Sequence, residues 1–360
     1  MNKYVKILFF GFFIFVGCED EQEPVANDKQ ITFTKDFDIT NFDTGVLVTE
    51  TFDRGFLVLT ASDTTEYGVH YNLGLIKTDS IGTQEWVKEN IMDSVYLSHT
   101  SLRQTIDGGY VVFGDPTIKF DSSGVYEWTA DLRYEGITNE GGFFGINYSF
   151  NFETFTFDLN LTKATDAGVM YWEKDLKSEL MQLDSNFYFV STTSIIETNE
   201  GGFFIIGYLN PSFPAIIKTD SEGNVEWANI LYDIDEYFGL TEQTNDGGYI
   251  LFGSTTLKLS AQGQIEWENN NLAGRGQHTD DGGYIHISQN NSSIDIKKSN
   301  SLGSNIWENS FPHENNSRYN YFDIKQTTDG GYIITGGTQV IGWDRDIVLI
   351  KTDSEGNLAE

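Results

Sequence analysis

Residues 326–338 read QTTDGGYIITGGT, and a few positions later residues 346–357 read DIVLIKTDSEGN. In the first phrase, Asp329-Gly330-Gly331 separates a short polar strand from an apolar run. Asp-Gly and Gly-Gly pairs supply the positive φ that tight hairpins require. In the second phrase an apolar strand runs into DSEGN, another turn-forming cluster. Together the two phrases predict three antiparallel strands, YFDIKQT, GYIITGG and DIVLIKTD.

The hairpin phrase recurs. DRGF, DGGY, EGGF, EGGF, DGGY, DGGY and DGGY begin at residues 53, 107, 140, 200, 246, 281 and 329. Each is followed by a counterpart of LIKTDSEGN, and six of those counterparts end on a tryptophan, at 86, 128, 172, 227, 267 and 307. The tryptophans are spaced 42, 44, 55, 40 and 40 residues apart, the period of a four-stranded propeller blade. A single blade buries only part of its apolar surface, so stacked neighbours must complete the core, with the tryptophan as a wedge between blades.

The last unit stops at GNLAE and lacks its fourth strand, while ITFTKDFDI (31–39) precedes the first hairpin without a partner. With Phe33 in place of the missing tryptophan, the N-terminal strand completes the last blade and protects both open edges. The expected fold is all-β: a seven-bladed β-propeller of four-stranded antiparallel blades, forming a single domain over residues 30–360. Helical periodicity is confined to KDLKSELMQLDSN (174–186), with room for two or three turns.

The N-terminus is an address. Lys3 and Lys6 precede an unbroken apolar run from Ile7 to Val16 and then Gly17-Cys18. That run is too short for a permanent span, which takes about 20 residues, and reads as a secretory signal peptide over 1–17. Cys18 is the only cysteine, which excludes a disulfide framework. The acidic, aperiodic segment 18–29 reads as a flexible tether. Formal charge is −32, and loss of Lys3 and Lys6 with the leader brings it to −34. Such a surface repels phosphate backbones, so nucleic acid is not an expected partner.

Two resemblances add to this. The setting of Cys18 resembles a bacterial lipobox, although Phe15 stands where that family prefers Leu. The resemblance implies cleavage before Cys18, acylation of its sulfur and amine, and stable anchoring through several chains. An acidic cluster directly after such a cysteine is similar to the surface-export signal of Bacteroidota lipoproteins, which implies an outer-membrane protein facing outward, with the periplasmic face as the other option. The repeat itself resembles that of surface propellers common in Bacteroidota, and its D…G…W turn is similar to quinoprotein-type (PQQ-like) blades.

The repeats serve as an internal control for chemistry, since a catalytic residue belongs to one blade and a structural one recurs. Asp79, Asp121, Asp166, Asp220 and Asp353 share a turn position with Ser260 and Asn300, which identifies that position as a turn cap rather than a cation site. The five histidines lack zinc spacing, and no nucleophile elbow or Walker loop occurs. No constellation for a cofactor stands out, and DIDEY (233–237) and WDRD (343–346) lack the spacing of a calcium loop.

The blades differ in the connection between second and third strands. It is minimal in units two and five and long elsewhere, placing Tyr67, Tyr71, Tyr148, Phe213 and Trp343 on one expected face. Alternation of Tyr148, Phe150 and Phe152 also fits a strand extension packing inward. Aromatic side chains on variable loops suit protein or glycan recognition. The expected function is therefore a monomeric, lipid-anchored, non-enzymatic binding or scaffold module. The alternative is a polysaccharide hydrolase using carboxylates near the central channel.

Overall fold

The computed structural model describes residues 30–39, 43–63, 71–95, 100–114, 116–130, 133–151, 156–183, 189–209, 213–289, 293–312, 323–339 and 345–358. Residues 31–360 form one compact unit. Twenty-eight strands among the described residues make seven separate four-stranded antiparallel sheets. Blade 1 comprises Asp43–Glu50, Phe56–Asp63, Tyr71–Thr78 and Gln84–Val95, paired in that order. Blades 2, 3 and 6 repeat the order over 101–130, 136–175 and 275–312. Blade 4 comprises Phe189–Glu197, Phe203–Leu209, Phe213–Thr219 and Val225–Ile230, and blade 5 Phe238–Gln243, Tyr249–Gly253, Thr256–Leu259 and Ile265–Asn269.

Blade 7 is built from both ends of the repeat array. Asp323–Gln326, Tyr332–Gln339 and Arg345–Thr352 come from the C-terminal unit, and Phe33–Phe37 pairs antiparallel with the last of these. Phe33 lies opposite Lys351. In the same register Trp86 faces Lys77, Trp128 faces Lys119, Trp172 faces Lys163, Trp227 faces Lys218, Trp267 faces Lys258 and Trp307 faces Lys298. Phe33 therefore occupies the seventh tryptophan position, and the ring closes as the repeat count requires. The first strands of neighbouring blades touch all the way round, including blade 7 against blade 1. At that closing seam, Glu50 accepts hydrogen bonds from the Thr328 amide and hydroxyl, both at 2.8 Å.

Each wedge reaches into the next blade. Trp86 lies 6.0 Å from Tyr110, Trp128 5.5 Å from Phe143, Trp267 5.8 Å from Tyr284 and Trp307 5.7 Å from Tyr332; Phe33 does the same with Phe56 at 5.9 Å. The far edge of each indole also lies beneath the glycine of the next blade's third-to-fourth turn. A Cβ on Gly223 would meet Trp172 at 2.9 Å, and one on Gly356 would meet Trp307 at 2.7 Å. Both glycines also have positive φ, 81° and 76°, so that position excludes other residues twice over.

A second recurring element is a buried lysine. The third-strand lysines Lys77, Lys119 and Lys258 are 1–2% exposed. The ammonium of Lys77 reaches Asp53 at 2.9 Å, Glu85 at 3.0 Å and the Thr78 carbonyl at 2.8 Å. Lys119 does likewise with Asp107, Glu127 and Phe120, and Lys258 with Asp246, Glu266 and Leu259. Three N–H donors thus meet three acceptors, which is what makes burying the charge tolerable. The aspartate comes from the Asp-Gly hairpin and the glutamate directly precedes the wedge tryptophan, so one cation ties both turns of a blade together.

The third-to-fourth turns confirm the cap reading. Asp220 Oδ1 accepts from the amides of Glu222 and Asn224, both at 2.9 Å. Ser260 and Asn300 accept from the equivalent amides in their own turns. Blade 3 corrects one assignment: there the cap position is held by Thr165, whose hydroxyl accepts from Val169 at 3.3 Å, and not by Asp166. The expected helix forms over Leu176–Leu183. Asp175 caps it by accepting from Ser178 N at 3.2 Å, and Leu176 and Leu180 bury in the apolar cluster shared by blades 3 and 4.

Candidate functional site

Antiparallel pairing within each blade puts the Asp-Gly hairpins and the capped turns on one side of the ring. The second-to-third and fourth-to-first connections share the other side. Cys18, Tyr67 and Trp343 fall outside the described residues. Tyr148 lies in the strand Phe143–Asn151, opposite Leu159, and pairing continues through Phe150 opposite Phe157. Tyr71 departs from the expected exposure. It is 6% exposed because it alternates with Leu73 and Leu75 on the core-facing side of blade 1 and packs there with Met92.

Phe213 leads to the best-formed site on the connection side. It opens the third strand of blade 4, half-buried, and meets Tyr232 edge-on at 5.4 Å. At the end of the neighbouring strand, Tyr208 stacks on Tyr237 at 5.5 Å with the rings 9° from parallel. Tyr232 and Tyr237 belong to the connection 231–237, which carries the chain from blade 4 into blade 5.

That connection is anchored from below. Leu231, Ile234 and Phe238 are buried, leaving Tyr232, Asp233, Asp235 and Tyr237 exposed between them. Leu231 N donates to the Pro214 carbonyl at 2.9 Å. The Tyr208 hydroxyl accepts from Phe238 N at 2.6 Å and donates to the Glu236 carbonyl at 3.2 Å. Ser254, in the minimal connection of blade 5, accepts from Tyr237 N at 2.9 Å and donates from its hydroxyl to Glu236 Oε2 at 2.5 Å. Burial pushes the Tyr208 phenol above its ordinary range, the Phe238 amide opposing. The result is a rigid platform in which Tyr232 and Tyr237 remain 61% and 56% exposed although the core below is complete.

Sequence reading picked out Phe213 and the DIDEY segment but not the pairing with Tyr208, Tyr232 and Tyr237. The available signal was the spacing of Leu231, Ile234 and Phe238, apolar anchors that leave the intervening aromatics outside. No group of three or more His, Cys, Asp and Glu arranged to hold a metal occurs among the described residues.

A second concentration of charge lines the innermost strands. Arg103, Glu242 and Lys325 occupy the same register position in blades 2, 5 and 7, facing Val111, Ile250 and Ile333. Burial pushes the Glu242 carboxyl up, opposed by the Lys325 charge, a 2.6 Å hydrogen bond from His278 N and the Arg103 charge. In blade 3, burial likewise raises Glu135, against the pull of the Arg133 guanidinium 3.0 Å away. The Asp323 carboxylate accepts from Val48 N at 3.1 Å across the blade 7–1 seam. These groups neutralise one another and tie inner strands together.

A groove of about 490 Å³ runs along the outer flank of blades 1 and 2, between Lys88–Ile91 and Phe120, Tyr126 and Thr129. It arises where the fourth strand of blade 1 slips register around Asn90, a non-glycine residue with φ 52°.

Several solved propellers superpose on this ring. The AfRom2 CNH domain aligns with a TM-score of 0.52 and 8% identity, over 88% of this chain and 98% of its own. BBS1N, solved in complex with ARL6DN, aligns at 0.52 and 10% identity, over 91% and 99%. The BP39L lectin from Burkholderia pseudomallei aligns at 0.54 and 8% identity, over 89% and 99%. Identities this low carry the fold alone. No family model and no curated protein matches the sequence.

Proposed function

We propose that the chain is a lipid-anchored, non-enzymatic binding module of the cell envelope that takes a protein or glycan on its connection-bearing side. The platform of Tyr208, Phe213, Tyr232 and Tyr237 carries this reading. Two exposed aromatic rings held on a rigid, fully anchored connection contribute nothing to the core and suit recognition. The propeller neighbours include a lectin and a complex with a protein partner, which supports the choice of ligand classes without selecting one.

The leader, Cys18 and the acidic tether support an outer-membrane anchor, outward-facing in line with the Bacteroidota resemblance. No helix among the described residues is long and apolar enough to cross a membrane. Cys18→Ala is expected to move the protein from the membrane to the soluble fraction. Capture from intact cells with the anchored protein is expected to yield partners that are lost with the double variant Tyr232→Ala/Tyr237→Ala. Unchanged recovery would refute the platform reading, and Trp343→Ala tests the variable segment 338–346 of the last repeat in the same way.

The competing hydrolase reading has the raised Glu242 and Glu135 carboxyls in its favour. Glu242 nonetheless accepts from the His278 amide at 2.6 Å and lies in the field of the Lys325 and Arg103 charges, and Glu135 is 3.0 Å from the Arg133 guanidinium, the settings of structural charges. Polysaccharide cleavage that is abolished by Glu242→Gln in a folded protein would reverse this preference.

A further inference from the structure

The geometry points to an arginine- or lysine-bearing polypeptide segment as the occupant of the blade 4–5 platform. The inference rests on the platform being the binding site and goes on to name what it binds. Charge complementarity carries it. Between Lys218 and Lys258 the chain has eight aspartates and glutamates and no lysine or arginine; Asp233, Asp235 and Glu236 of these belong to the platform connection, while Asp220, Glu222 and Asp246 sit in turns on the opposite side of the ring. The two bounding lysines are themselves buried, with their ammonium groups committed to Glu226 and to Asp246 and Glu266. No mobile cation from this stretch is placed to neutralise Asp233 and Asp235, which stand exposed beside the tyrosines.

The aromatic component favours the same ligand. A tyrosine face is the negative end of a ring quadrupole, and a guanidinium or ammonium laid over it is attracted further when carboxylates flank it. Arginine suits the site best, since its planar fork stacks on a ring and bonds a carboxylate at once. Tyr232 and Tyr237 also project from opposite ends of one fixed connection, so a partner reaches both without reordering the loop, which lowers the entropic cost of binding. A neutral glycan would use the rings but would gain nothing from the accumulated charge.

The test uses the folded mature chain and a labelled Gly/Ser peptide bearing three arginines, its citrulline counterpart, and a neutral β-linked glucose oligosaccharide. The arginine peptide is expected to bind at least about tenfold more tightly than the citrulline peptide, and to weaken as ionic strength rises. Asp233→Asn/Asp235→Asn is expected to lose about five- to tenfold in affinity and most of the salt dependence. Tyr232→Ala/Tyr237→Ala should lose about tenfold, while Phe52→Ala on the opposite side should lose nothing. Unchanged thermal unfolding of each variant excludes misfolding as the cause.

Equal or absent binding of the two peptides overturns the inference, as does wild-type affinity in the platform variants. If the oligosaccharide binds instead, without salt dependence and only with both tyrosines present, the cationic inference fails and the platform stands. If no probe responds to the platform variants and partner capture from cells is also unchanged, both readings fail.

Discussion

His286 is the residue whose replacement tests the structure most sharply. It sits in the second strand of blade 6, paired with Gly276 and Lys297, at 1% exposure, with Phe252 of blade 5 edge-on at 5.3 Å and Tyr284 at 6.5 Å. Neither ring nitrogen has a hydrogen-bond partner. Five of the six equivalent positions hold Val58, Val112, Ile205, Leu251 and Ile334, all fully buried, and blade 3 has Gly145 there. Burial first, and then the charges of Lys297 and Lys298, depress the imidazole to about 3 from an ordinary 6.5.

The folded state therefore keeps His286 neutral where the unfolded chain protonates it. A group with a depressed folded value contributes full stability above its unfolded value, and that contribution is lost as pH falls toward the folded one. At 1.36 kcal/mol per unit, the loss is about 2 kcal/mol at pH 5 and about 3 kcal/mol at pH 4. His286→Leu removes the titration and the two orphaned nitrogens together, so it is expected to stabilise by about 1–3 kcal/mol already at pH 7.5. Urea unfolding of wild type and variant at pH 7.5, 5 and 4 reads the difference, and carboxylate effects common to both proteins cancel. A gap that stays flat across this range would refute the burial of a neutral, unpartnered His286.

Other consequences follow from the blade architecture. Asp246 and Asp281 are lowered to about 2: burial raises them, but the hydrogen bonds from Thr244 and Thr279 and the buried lysines more than offset it. Their contribution is present above 3.8 and lost on acidification toward 2, so acid unfolding of His286→Leu should retain this lower window. Lys258→Ala leaves Asp246 and Glu266 without their cation; because both carboxylates are more than two-fifths exposed, the expected cost in urea is about 2 kcal/mol, below that of a fully buried pair. Phe33→Ala should cost about 2–3 kcal/mol by opening the closing wedge, whereas Phe33→Trp should fold at least as stably as wild type. Gly223→Ala combines positive φ with a Cβ against Trp172 and is expected to lower stability by about 2–3 kcal/mol; a loss under 0.5 kcal/mol would contradict the wedge geometry.

The amino-acid sequence by itself determined the repeat, the blade count and the closure. The repeat and the blade count depend on contacts between near neighbours in the chain: positive φ at Asp-Gly-Gly, alternation along short strands, and a wedge that recurs every forty or so residues. Even the replacement of tryptophan by Phe33 was legible, since a repeat array with one missing strand and one spare strand has only one way to close. The recurring third-strand lysine was equally present in the phrase IKTD. Its meaning was hidden because an exposed lysine and a buried one bridging two turns have the same spelling.

What only tertiary structure decided lies where residues distant in sequence meet. Tyr208 and Tyr237 stack although 29 positions separate them, and Arg103, Glu242 and Lys325 share a register level from three different blades. His286 is orphaned because blade 5 closes over it. Tyr71 is drawn into the core because its strand begins earlier than the connection suggested. A repeating phrase fixes the geometry of each blade, but the chemistry of a seam depends on what the adjoining blade brings to it.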